Sequence, residues 1–245
     1  MPNPVQEMGR ELVAFAQAAL VRPVPSNHRE SASAVRRRRW VAGATLIVGA
    51  GVLGLALRIP PGSDWFYLAT AALALVWSVG GVLSGPLHLG YAHTRSGARL
   101  ARPVVQGLAL ATAINVLFLA GAFVVARIPV LRDPADQLLD HARLGELWLV
   151  AVITVANGIA EELYFRGACY AAAGRRSPVA VTTGLYTLTT IATGNPMLVF
   201  AAAVLGLITG LQRRVTGGVL APMITHVAWS LTMLLVLPPM LDSLR

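Results

Sequence analysis

Residues 147–173 read LWLVAVITVANGIAEELYFRGACYAAA, and this stretch decides the fold class. It is longer than the roughly 20 apolar residues that a helix needs to cross the hydrocarbon core of a bilayer. Its only charged residues are Glu161, Glu162 and Arg166. A charge at mid-bilayer costs about 2.5–3.5 kcal/mol, so such residues usually face a polar interior and mark function. The stretch therefore predicts a transmembrane helix that carries a functional site.

The composition of the whole chain also indicates a membrane protein. Of its 245 residues, 56% are hydrophobic and 13% are charged, whereas a soluble domain has roughly 25% charged residues. The alternating segments of roughly ten residues that build a transmembrane β-barrel are not found in the sequence. We therefore expect an all-α, polytopic transmembrane bundle.

Seven apolar stretches are separated by short polar or proline-containing turns. They cover about residues 40–57, 65–83, 104–126, 147–173, 178–193, 197–211 and 218–237. Residues 127–146 are expected to form an outer loop. The last span is expected to stop at Pro238 and Pro239, because proline disrupts a helix. The sequence thus predicts a transmembrane domain of about seven spans over residues 40–245.

The positive charges recur on one side of this predicted bundle. The net charge is +9 and all 20 basic residues are arginine. They concentrate in Arg36–Arg39, in residues 88–102, in Arg175–Arg176 and in Arg213–Arg214. The positive-inside rule assigns these loops to the cytoplasm. We expect a multi-pass protein of a prokaryotic cell membrane with a cytoplasmic N-terminus, in contact with membrane lipids and not with nucleic acid.

Residues 1–39 are expected to form a separate cytoplasmic N-terminal segment. The apolar stretch Leu12–Val21 is short and contains Gln17, which is not typical of a signal peptide. We expect it to form a short amphipathic helix on the membrane surface, followed by a polar linker over residues 23–33. The single cysteine, Cys169, excludes an internal disulfide and a cysteine-based zinc site.

The three charged residues of the fourth span are predicted to lie on two different faces of the helix. Glu162 and Arg166 are four residues apart and can pair, whereas Glu161 points about 100° away. In the last span His226 is followed one turn later by Ser230, and a histidine near a glutamate can polarise a water or hold an oxyanion. The alternative is a purely structural role, with a buried ion pair and a hydrogen-bonded histidine that hold helices together.

Two blocks of the sequence resemble the CPBP family, the CAAX-protease and bacteriocin-processing membrane proteins. Residues 161–167, EELYFRG, match its EExxxRG signature, and residues 216–230, TGGVLAPMITHVAWS, resemble its final motif. The resemblance covers roughly residues 145–237. It implies an intramembrane endopeptidase in which Glu161 activates the attacking water, Glu162 and Arg166 form the supporting pair, and His226 with Ser230 completes the site.

The sequence departs from the family in its middle motif, FxxxH. Residues 186–196 read YTLTTIATGNP and contain no histidine. Judged from the distance to Pro178, the position of the missing histidine is Thr193 or Thr190. Threonine can hydrogen-bond a water, but it replaces imidazole neither as a base nor as a metal ligand. In the last motif Ser230 stands where the family usually has asparagine.

A divalent metal such as zinc is a further expectation that the resemblance raises. Glu161 and His226 would be its ligands, but a catalytic zinc usually has three protein ligands. Glu162, Asn157 or His141 could supply the third, and nothing in the spacing selects among them.

Three functions remain open from the sequence. The first is an intramembrane endopeptidase that cuts a peptide bond near the cytoplasmic side, with an unknown peptide or membrane-protein substrate. The second is a catalytically impaired family member that acts as a membrane binding or immunity protein, supported by the missing histidine. The third is a transporter in which Glu161 carries a proton, although the inverted repeats typical of transporters are not found in the sequence.

Overall fold

The computed structural model describes residues 4–26, 28, 30–93, 100–174 and 176–244. Nine helices run through this part of the chain, which confirms the all-α fold class. They are α1 Pro4–Leu20, α2 Ala32–Ala56, α3 Asp64–Ser84, α4 Val104–Val125, α5 Pro129–Leu144, α6 Leu147–Ala173, α7 Pro178–Ile191, α8 Pro196–Thr216 and α9 Leu220–Ser243. Two short strands, β1 Ala92–His93 and β2 Leu100–Ala101, pair antiparallel between α3 and α4.

Six of these helices, α2, α3, α4, α6, α8 and α9, are long and apolar enough to cross a membrane. The predicted fifth span forms α7, which has only 14 residues. At 1.5 Å per residue α7 is about 21 Å long, shorter than the roughly 30 Å hydrocarbon core. In the described residues, the seven predicted spans therefore correspond to six long apolar helices and one short one.

The start of α2 and the end of α9 differ from the prediction. Helix α2 begins at Ala32 and includes the arginine block, because Ser31 caps it and arginine is a good helix former. Helix α9 continues through Pro238 and Pro239 to Ser243, so the predicted stop was wrong. Its last turn is anchored by Leu241, which is fully buried against α4 and α5. Membrane helices tolerate proline where neighbouring helices pack around it.

The predicted outer loop is also helical, since residues 129–144 form α5. Arg132 pairs with Asp136 one turn later, with 3.3 Å between Nε and Oδ2. Arg143 binds Asp136, Asp140 and Asp242 at 3.0, 3.2 and 2.7 Å, and so ties α5 to the end of α9. These ion pairs explain why a polar stretch folds instead of forming a loop.

The N-terminal helix was predicted, but it begins earlier, at Pro4, and packs against the bundle. The side chain of Gln106 donates to the carbonyl of Ala18, and that of Arg214 donates to the carbonyl of Leu20. The orientation in the membrane remains a prediction. Three arginines that support it, Arg95, Arg99 and Arg175, lie outside the described residues.

The core surrounds the middle of α6. Trp77 of α3 stacks on Tyr164 of α6 with ring centroids 4.6 Å apart. Gly49 of α2 makes room for this indole, since an added Cβ would lie 2.0 Å from a Trp77 ring carbon. The hydroxyl of Tyr164 donates to the carbonyl of Ala42 in α2. Packing on both sides thus fixes the helix that carries the two glutamates.

Candidate active site

The two glutamates lie where α6 changes its winding. Residues Leu163–Cys169 form a π-helical segment directly after Glu162. Such segments inside α-helices are rare and frequently occur at functional sites. All residues from Tyr164 to Cys169 are buried, so the irregular segment is held by packing on every side.

Glu162 joins α6 to α9. Its carboxylate oxygen Oε1 accepts hydrogen bonds from Arg166 Nη1 at 3.0 Å and from His226 Nδ1 at 2.8 Å. The side chains of Glu162 and Arg166 are fully buried. The ion pair expected from their spacing is present, and the same carboxylate also orients the imidazole of His226.

This hydrogen bond determines which nitrogen of His226 is available. A carboxylate accepts hydrogen bonds, so the proton on the ring lies on Nδ1, as inferred from its partner. The other nitrogen, Nε2, then carries a free lone pair in the neutral ring. Nε2 lies 4.0 Å from Oε2 of Glu161, which is too long for a direct hydrogen bond. One water can bridge such a gap.

Glu161 differs from Glu162 in exposure and in partners. Its side chain is 15% exposed, whereas that of Glu162 is 0% exposed. Oε2 of Glu161 accepts a hydrogen bond from the hydroxyl of Tyr186 in α7, at 2.6 Å. Glu161 is therefore the member of the pair that a substrate can reach.

Tyr186 was not singled out from the sequence. Its ring lies 4.7 Å from that of Phe165 and 4.8 Å from the Arg166 guanidinium carbon. The available signal was its place at the first position of YTLTT, where the family motif has phenylalanine. The hydroxyl that distinguishes tyrosine from phenylalanine is the group that contacts Glu161.

The two threonines considered for the missing histidine hydrogen-bond to their own segment. Thr190 is buried and its hydroxyl donates to the carbonyl of Tyr186 at 2.7 Å. Thr193 lies in the turn after α7 and donates to the carbonyl of Thr190 at 2.7 Å. Neither hydroxyl contacts Glu161 or His226 in the described structure, so α7 reaches the site through Tyr186.

Ser230 lies one turn after His226 on α9 and is half-buried. Its hydroxyl makes no hydrogen bond with any residue that the structure describes. Trp229, beside it, packs its ring 6.3 Å from that of His226 and edge-on against Phe118. An apolar wall therefore borders the imidazole, and the serine hydroxyl remains available to a ligand.

The donor atoms of Glu161 and His226 are not spaced as two ligands of one zinc ion. Two ligands of a tetrahedral zinc at about 2.0–2.1 Å are about 3.3 Å apart, whereas Glu161 Oε2 and His226 Nε2 are 4.0 Å apart. Among the described residues no group of three histidine, cysteine or acidic side chains is arranged to hold a metal. Asn157 donates to the Thr70 carbonyl, and His141 of α5 stacks on Phe66 of α3. Neither brings a third ligand to the pair.

Residues 143–232 match the family model described as Type II CAAX prenyl endopeptidase Rce1-like. The matched stretch begins just before α6 and ends within α9, so it contains the two glutamates, Tyr186, His226 and Ser230. The match confirms the resemblance drawn from the two motif blocks. No curated protein and no solved structure gives a significant match to the chain.

Proposed function

We propose that the chain is an intramembrane endopeptidase in which Glu161 activates the attacking water. The match of residues 143–232 to the Type II CAAX prenyl endopeptidase Rce1-like family model supports this proposal. The observation that carries this proposal is the geometry around His226. Its Nε2 faces Oε2 of Glu161 at 4.0 Å while its Nδ1 is held by Glu162 at 2.8 Å.

A water between these two atoms can donate one hydrogen to Glu161 and the other to Nε2 of His226. Its oxygen lone pair then faces the substrate carbonyl carbon. Glu161 takes the proton as the new C–O bond forms, which is general-base catalysis. The tetrahedral intermediate breaks its C–N bond as Glu161 returns that proton to the leaving nitrogen.

Two further groups support the developing negative charge. The Ser230 hydroxyl makes no hydrogen bond in the described structure and can donate to the oxyanion. The hydroxyl of Tyr186 binds Glu161 in the resting site, and it can turn to the oxyanion once Glu161 is protonated. The buried pair of Glu162 and Arg166 keeps the proton of His226 on Nδ1, the role that an aspartate has in a serine-protease triad.

The substrate is a peptide bond of a peptide or membrane protein that reaches mid-membrane. Glu161 lies about 21 Å from the start of α6 and about 18 Å from its end, at 1.5 Å per residue. It is thus slightly nearer the end that is predicted to be cytoplasmic. The proposal does not require a prenyl group on the substrate, because the arginine-rich composition predicts a prokaryotic host.

The test is hydrolysis of a peptide library by purified protein in detergent, with products identified by mass spectrometry. Wild type is expected to cleave, and Glu161→Gln is expected to lose cleavage. The matched control is Glu146→Gln, an exposed carboxylate just before α6, which should cleave like wild type. Products that persist in the Glu161→Gln protein would contradict the proposal.

A second function, membrane binding or immunity without turnover, is favoured by one observation. Thr190 of α7 is a non-basic residue with its hydroxyl bound to the Tyr186 carbonyl, so α7 contributes no imidazole. Under this alternative, wild type gives no product from the library. Cells that express Glu161→Gln would then resist a bacteriocin as well as cells that express wild type.

A further inference from the structure

A cavity of about 650 Å³ lies apart from the two glutamates. It opens where the ends of α6 and α8 meet the loop after α3 and the N-terminal linker. We call it the α6–α8 cavity. Its residues include Gly167 and Tyr170 of α6, Arg213 of α8, His88 of the loop and His28 of the linker. None of the active-site side chains lines it.

The charges around the α6–α8 cavity are mostly positive. Two arginines, Arg213 and Arg214, line it together with the two histidines. Glu30 is the one acidic residue among the described lining residues. Both oxygens of Glu30 are already bound by the buried Arg38, whose Nε donates to Oε2 at 3.0 Å. Among the described lining residues, no carboxylate is therefore left to balance Arg213.

Arg213 is the strongest sign that the cavity takes a ligand. It is only 7% exposed, its Nε donates to the carbonyl of Arg166 at 2.7 Å, and its guanidinium lies over the Tyr170 ring. Within the described chain it pairs with no carboxylate, and its terminal Nη groups make no hydrogen bond. A buried cation without a counter-ion is costly, so an anion in the cavity would stabilise it.

The two histidines lie in the same positive potential. The rings of His28 and His88 stack with centroids 3.7 Å apart. Burial lowers the pKa of His88, and the nearby His28, Arg213 and Arg38 lower it further. The opposing effect of Glu30 is the smallest. The loop thus lies in a positive field that an anion would offset.

We propose that the α6–α8 cavity binds the phosphate group of an anionic ligand, either a phospholipid headgroup or a free phosphate. Guanidinium groups bind phosphate oxygens through paired, charge-assisted hydrogen bonds. The cavity lies at the ends of membrane-spanning helices, where basic pockets bind lipid headgroups. Its ligand would contact Arg213, which touches the backbone of Arg166 and therefore the helix turn that holds Glu162.

The first arm of the test measures inorganic phosphate binding to purified protein in detergent by calorimetry. Arg213→Gln is expected to weaken binding about tenfold or more, the effect of losing a charged hydrogen bond. The matched control is Arg176→Gln, an exposed arginine near the end of α6 that does not line the cavity. It should bind like wild type. A double variant, His28→Gln with His88→Gln, should also weaken binding and covers the case in which Arg213→Gln does not fold.

The second arm separates the two sources of phosphate. Protein is reconstituted in nanodiscs of phosphatidylcholine with phosphatidylglycerol in equal parts, and retained lipid is measured by native mass spectrometry. Retention of phosphatidylglycerol by wild type but not by Arg213→Gln identifies the headgroup; phosphate binding without lipid retention identifies free phosphate. Equal behaviour of wild type and both variants in both arms would overturn the proposal. So would calorimetry in which a peptide with a free C-terminal carboxylate binds to wild type and inorganic phosphate does not.

Discussion

Replacing the adjacent glutamates one at a time by glutamine should separate stability from chemistry. Glu162→Gln removes the only carboxylate that Arg166 contacts among the described residues, in a pair with both side chains fully buried. It also removes the charged acceptor of His226 Nδ1. Breaking a buried ion pair from one side costs about 3–5 kcal/mol, because an uncompensated charge stays buried. We expect a loss of this size in the free energy of unfolding.

Glu161→Gln should act in the opposite way. The side chain is partly exposed and makes one hydrogen bond, to Tyr186. The amide oxygen of glutamine still accepts that bond, so the unfolding free energy should fall by less than about 1.5 kcal/mol. The amide cannot take a proton from water, and loss of a general base lowers the rate by about 10²–10⁴-fold.

Both variants can be compared in one detergent by equilibrium unfolding, followed by the fluorescence of the five tryptophans, and by the peptide-library assay. Two outcomes would refute the reasoning. One is a Glu162→Gln protein as stable as Glu161→Gln, which would mean that Arg166 does not depend on its partner. The other is a Glu161→Gln protein that is destabilised by several kcal/mol, which would assign that carboxylate a structural role.

Three other changes have expected outcomes. Tyr186→Phe removes the hydroxyl that donates to Glu161. The rate of hydrolysis should fall, while the unfolding free energy changes by only about 1 kcal/mol. A rate equal to that of wild type would exclude a role for the hydroxyl. Burial lowers the pKa of His141 in α5 below 6.5, so the unfolded chain binds a proton first as the pH falls. Stability should therefore be lost as the pH drops below about 6.5 through the folded pKa, and melting curves of His141→Gln at neutral and mildly acidic pH should lack this loss. Gly49→Ala would place a Cβ 2.0 Å from a buried indole and should cost about 1–3 kcal/mol; the control Gly51→Ala, with open space around its Cβ, should not be destabilised in the same unfolding assay.

The spans were predictable where composition alone decides the ends. Helix α6 covers residues 147–173, as expected, because its apolar run lies between Gly145 and Gly174. The prediction was wrong where it relied on proline. Pro238 lies inside α9, since packing of Leu241 against α4 and α5 continues the helix. A local preference was overridden there by contacts that the sequence does not reveal.

The site was predictable only in its local part. The pair of Glu162 and Arg166 follows from their spacing of four residues. The contact between Tyr186 and Glu161 joins residues 25 apart, and that between Arg213 and the Arg166 carbonyl joins residues 47 apart. Such contacts depend on how α7 and α8 pack on α6, and no periodicity in the sequence encodes that packing.

Because Glu161 and Glu162 have different partners, no other group in the described site can take over the role of Glu161 as the base. Glu162 cannot serve as the base while it neutralises Arg166 and holds Nδ1 of His226. Helix α7 adds a tyrosine hydroxyl to the site, which donates to Glu161 and cannot replace it as a base. In the described structure, the proposed hydrolysis therefore depends on one accessible carboxylate and one imidazole. Each should be indispensable, because groups that act as one unit are not additive and the loss of either removes most of the rate.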